Sequence, residues 1–151
     1  MEPEIVQRPK MILAGVIDCG EDVRSIDIEK LWGAYEKSEP GISKRIEGDW
    51  YELHVGEKQG NGIYSVLAGC QVEDLGESPI EVSLRTLPAG KYAHFAHSMK
   101  DGGFDVAFAN VEKWTRVSGS PVRDFGLQHY TSDFNPNNKD SVLHIYIPLD
   151  E

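Results

Sequence analysis

Apolar residues recur along this chain either at every second position or at helical spacing of about 3.6, and the order of the two patterns predicts the architecture. From Glu4 to Cys19 the run EIVQRPKMILAGVIDC reads as one strand, bent at Pro9 and ended by Gly20. Ile28, Leu31, Trp32 and Tyr35 then share one helical face. Asp22 and Ser25 offer capping oxygens ahead of that helix, and Pro40-Gly41 stops it after about four turns. WYELHV (Trp50 to Val55) and IYSVLAGCQV (Ile63 to Val72) come next as strands, and the short polar link EKQGNG predicts that they form an antiparallel hairpin.

After the linker EDLGESP the same grammar returns. EVSLRTLPAGKYAHFAH is strand-like around a Pro-Ala-Gly break. In GGFDVAFANVEKWTRV, Phe104, Ala107, Phe108, Val111 and Trp114 form a helical stripe that Gly119 and Pro121 terminate. DFGLQHYTSDF and SVLHIYIPL are two more strands around the turn NPNNKD. Each half therefore reads strand, helix, strand, strand, with pseudo-repeats over about 4–74 and 80–150 of a single 1–151 domain. The predicted fold class is α+β: one curved antiparallel sheet, two helices on one face, and between them a groove floored by the central strands, where a small molecule would sit.

Composition narrows the partners. With 15 basic and 25 acidic residues the formal net charge is −10, and the basic residues are scattered, which argues against phosphate backbones or anionic membranes as partners. Cys19 and Cys70 lack the CxxC spacing of a metal or redox motif and read as reduced structural thiols. Charged residues interrupt the N-terminal apolar run, and nothing approaches the roughly 20 apolar residues of a membrane span, so the expected compartment is the cytoplasm.

No nucleophile elbow or phosphate loop is present, and no cofactor is expected. His94 and His97, three apart on a strand, point to opposite faces, while His54, His129 and His144 lie on three separate strands, so no metal site is expected. The aromatic set is more informative: Trp32 and Tyr35 on the first helix, Phe108 and Trp114 on the second, and Tyr51, Tyr64, Phe95, Tyr130 and Tyr146 on strands are candidates for an apolar, cation-tolerant cage. Glu52, on a central strand, is the carboxylate best placed to meet a bound cation. Pocket acid and solvent-facing strand residue are the two readings of Glu52, and they differ by one step of strand parity.

The motifs RPKMILAG, YELHVG with YSVLAGCQVEDLGE, LRTLPAGKYAHFAH, FGLQHY and DFNPNNKDSVLHIYIPL together resemble the GyrI-like effector-binding domain, the ligand-binding part of AraC-type and MerR-type regulators. The resemblance runs from about Glu4 to Leu149 and implies a freestanding module that takes amphipathic, often cationic, small molecules. It also implies a pocket Glu two residues before a Tyr in the penultimate strand. Here the matching residues are Gln128 and Tyr130, with Phe134 beyond, and a neutral amide orients a ligand without net Coulomb attraction. Glu52, on the pseudo-symmetric strand, is the substitute. Two alternatives stay open: some relatives hydrolyse strained natural products, a role Glu52 would serve as general acid or base, and gyrase-inhibiting members act on a protein partner. A homodimer is compatible with each.

Overall fold

The computed structural model describes residues 2–56, 63–120 and 122–150. The link EKQGNG and Pro121, expected to shape a hairpin and a helix stop, lie outside the described residues.

Pro9 divides the first expected strand in two, because proline offers no N–H to a ladder and fixes its own φ. β1 (Glu4–Arg8) and β2 (Met11–Gly20) go to opposite halves of the sheet, β1 to one edge and β2 to the strand next to the other edge. β3 (Trp50–Gly56) and β4 (Tyr64–Val72) form the expected antiparallel pair. β5 (Ser83–Leu87) and β6 (Gly90–Ser98) flank the Pro-Ala-Gly break, and β7 (Phe125–Tyr130) and β8 (Val142–Pro148) complete an eight-stranded half-barrel in the order β1-β6-β8-β7-β3-β4-β2-β5. Exchanging the first four strands with the last four reads that order backwards. The pseudo-twofold therefore runs between β3 and β7, where Glu52 pairs with Gln128 and Leu53 with Leu127.

α1 spans Ile28–Ser38, shorter than the four turns expected, since Asp27 is its cap and accepts from the Lys30 N–H at 3.0 Å. Asp22 and Ser25 instead close a capping box around a one-turn 3-10 helix, Val23–Ser25. α2 spans Phe104–Ser118 and ends at Gly119, whose φ of 64° is the left-handed geometry glycine tolerates best.

Strand alternation sorts the core onto two faces. On one, Ala14, Val16, Val66 and Ala68 pack beneath Leu31 and Tyr35 of α1, and Ala93, Phe95, Leu143 and Ile145 pack beneath Ala107, Val111 and Trp114 of α2. On the other, Met11, Leu13, Leu53, Leu67, Leu87 and Leu127 form a separate cluster. No helix among the described residues is long and apolar enough to cross a membrane.

In the β2–β4 ladder Gly15 pairs with Gly69. A Cβ on Gly69 would lie 2.1 Å from the Ala14 carbonyl oxygen, and one on Gly15 would lie 2.2 Å from that of Ala68, so both collisions are with backbone. Gly69→Ala is expected to destabilise the protein by about 2–3 kcal/mol in urea titrations. Gly33→Ala, in α1 with nothing within 4 Å, is expected to stabilise it by up to about 1 kcal/mol.

Candidate functional site

On β3 alternation brings Trp50, Glu52 and His54 to the helix-covered face, and on β7 it brings Gly126, Gln128 and Tyr130 there. Glu52 is 4% exposed and Gln128 8%, side by side on the pseudo-axis. A buried carboxylate is tolerated only when donors replace its water. Trp32 supplies one, its Nε1–H donating to Glu52 Oε1 at 2.8 Å, and His54 the other, with Nε2 2.5 Å from Oε2. The second ring nitrogen of His54, Nδ1, lies 2.7 Å from the Tyr64 hydroxyl. Across the axis, the Tyr130 hydroxyl donates to Gln128 Oε1 at 2.6 Å. Trp32 meets the Tyr130 ring edge-on at 6.1 Å, which ties α1 to β7.

Of these residues, His54, Tyr64 and Gln128 border a groove of about 620 Å³, within the range of small-molecule sites. His54, Tyr64, Gly126, Gln128, Ile145 and Ile147 contribute from the sheet, Phe108, Val111, Glu112 and Thr115 from α2, and Arg123, Asp124 and Phe125 from the approach to β7. Glu52 is set behind the wall, flanked by His54 on its own strand and by Gln128 across the pair. Burial, and then the negative charge of Glu52, push the Tyr64 hydroxyl up to about 12 and raise that of Tyr130 well above its ordinary value. Both phenols are thus protonated donors at neutral pH.

Of the residues singled out in the sequence, Trp32, Glu52, Tyr64, Gln128 and Tyr130 come together here, and Phe108 stands on the groove wall from α2. Tyr35 and Phe95 fill the core, and Trp114 covers Phe95 edge-on at 5.7 Å. Burial raises the Tyr35 hydroxyl above its usual range. Tyr51 and Tyr146 lie on the opposite face, because each is one residue out of phase with the groove-facing positions of its strand. There Tyr51 stacks on His129 at 4.5 Å and Tyr146 on His94 at 4.4 Å. His94 Nε2 is 2.9 Å from His144 Nδ1 and the His129 ring lies 5.7 Å from that of His144, so His94, His129 and His144 converge from three strands, while His54 stands on the groove wall. No group of three or more His, Cys, Asp or Glu placed to hold a metal ion occurs among the described residues. His94 and His97 do turn apart, His97 being buried and donating from Nε2 to the Gly102 carbonyl at 2.8 Å.

His54 is the site residue that sequence reasoning passed over as a binding group. It stands two residues from Glu52, and on a strand that spacing places both on one face.

The profile of a family described as Cass2, integron-associated effector binding protein, matches residues 4–149. Among solved structures, SAV2435 bound to tetraphenylphosphonium is similar with a TM-score of 0.75 and 16% identity, over 99% of this chain and 94% of that one. EcmrR, in a complex with DNA, is similar at 0.67 and 15%, over 99% of this chain and 57% of that one. A hydrolase encoded by lin2189 from Listeria innocua is similar at 0.61 and 13%, over 99% and 92%. At these identities the structural likeness speaks to fold alone. No curated protein matches the sequence.

The reverse-face histidines generate a pH dependence. Burial lowers the pKa of His94 and, helped by the two neighbouring imidazoles, that of His144. The unfolded chain therefore binds more protons than the folded one below about pH 6.5, and stability contributed by keeping both rings neutral is lost as the pH falls through that value. The urea midpoint should fall from pH 7 to pH 5, and His94→Asn should flatten that slope.

Proposed function

The chain belongs to the family of integron-associated effector binding proteins, small-molecule-binding modules of GyrI-like type, and from that premise we propose that its groove takes up amphipathic organic cations. The observation that carries this reading is the placement of Glu52, a buried carboxylate behind a largely apolar wall. Rings and aliphatic side chains supply affinity through apolar burial, at roughly 25 cal/mol per Å². The carboxylate supplies the preference for positive charge, since Coulomb attraction across a low-dielectric wall is screened far less than in water. Gln128, held by Tyr130, orients the ligand without adding charge. The net charge of −10 assists the approach of a cation. The tetraphenylphosphonium held by SAV2435 makes that ion the natural first probe.

One arrangement favours a second reading, a hydrolase for a small natural product. The chain Tyr64–His54–Glu52 would hold a proton donor and acceptor on the groove wall, the requirement of general acid–base chemistry. Loss of turnover with binding retained in Glu52→Gln would mark the enzyme.

Tetraphenylphosphonium at a hundred times its Kd should stabilise the folded state by about 2.7 kcal/mol. For a domain of this size that is a rise in Tm of roughly 5–10 °C in a thermal-shift assay. Triphenylphosphine oxide, neutral and of similar shape, should give a smaller rise, and Glu52→Gln should weaken the cation about tenfold or more while sparing the neutral compound. Equal shifts for both compounds in the native protein would contradict the cation reading.

A further inference from the structure

We propose that cation uptake in this groove is linked to the release of one proton, which leaves from His54. The proposal rests on the cation-binding reading above. His54 stands on the groove wall with Nε2 against the carboxylate that is to attract the ligand. Imidazole is the side chain whose charge ordinarily changes between pH 5 and 8. When protonated, His54 is the internal counter-ion of Glu52 and puts positive charge between that carboxylate and the groove. When neutral, it donates Nε2–H to Glu52 and leaves the negative charge uncancelled.

The Tyr64 hydroxyl fits both states. It donates to Nδ1 of a neutral ring and accepts from Nδ1–H of a charged one, so the ring can change charge without losing a partner or turning over. Trp32 holds the other carboxylate oxygen in either state.

The remaining ionisable groups around the ring are acids, phenols and a guanidinium. β2 contributes Asp18, in the same cross-strand row as His54 through Val66, and β4 contributes Tyr64. Glu112 comes from α2, Arg123 and Asp124 from the approach to β7, and Tyr130 from β7. His54 is the only imidazole among the described residues of the groove wall. An organic cation seated there and the imidazolium compete for one carboxylate. The cation therefore displaces the proton, and its affinity rises with pH by up to tenfold per unit while the ring titrates.

Isothermal titration of the whole protein with tetraphenylphosphonium, repeated in buffers of different ionisation enthalpy, counts the protons released. At pH 6 we expect a substantial fraction of one proton per cation bound, and an affinity some three- to tenfold higher at pH 8. Triphenylphosphine oxide should bind with no release. On adding the cation at pH 6, the His54 ring resonances in the native protein should move toward the neutral form, a readout that needs no variant. His54→Gln should make the cation affinity flat in pH. Binding of the cation with buffer-independent heat and a flat pH profile would overturn the proposal while leaving the cation-binding reading intact. A slope that survives in His54→Gln would overturn it too, by assigning the proton to another group. No binding at any pH would remove the cation reading and this proposal together.

Discussion

A carboxylate confined beneath an apolar groove needs donors fixed in space, and meeting that need for Glu52 organises much of the molecule. The indole N–H comes from α1, the imidazole from Glu52's own strand, and the phenol that holds the imidazole from β4. Each donor arrives on an element held by its own packing: α1 through Leu31 and Tyr35, and β4 through its ladders to β2 and β3. The charge is therefore preorganised, with little freedom left to lose when a ligand arrives. It also constrains the sequence, because the helix bearing Trp32 must dock where that one N–H meets one oxygen.

The pseudo-twofold gives the arrangement its asymmetry. Glu52 and Gln128 are direct neighbours across the axis, yet one is satisfied by an indole and an imidazole and the other by a phenol. The resemblance to GyrI-like domains implies a carboxylate in the penultimate strand, at the position where this chain carries the Gln128 amide. An acid occupies the register partner on the adjacent strand instead, a neighbouring position on the same face of the sheet. One buried anion thus stands behind the groove wall with an imidazole beside it.

Much of this is legible in the sequence. The two apolar helical stripes, the strand alternation and the repeated order of elements are enough for an α+β fold with both helices on one face. The pairing of Glu52 with Gln128 as related positions is also within reach. Three features are not. Pro9 reads as a bend, whereas it separates strands that serve opposite halves of the sheet, a destination that depends on which half β1 pairs with. Tyr51 and Tyr146 look like cage residues by type but fall on the reverse face. The three converging histidines come from strands whose adjacency is set only by the sheet order.

Periodicity and composition are local properties of the chain, so they mark which segments form strands, which form helices, and which residue types are on hand to line a groove. Tertiary structure decided which of those residues share a surface. Side chains alternate with a period of two along every strand, so a single step of parity or one choice of neighbouring strand moves a residue to the other face. That choice is made by long-range pairing across the pseudo-twofold. It put Glu52, His54 and Gln128 together, and it sent Tyr51 and Tyr146 away.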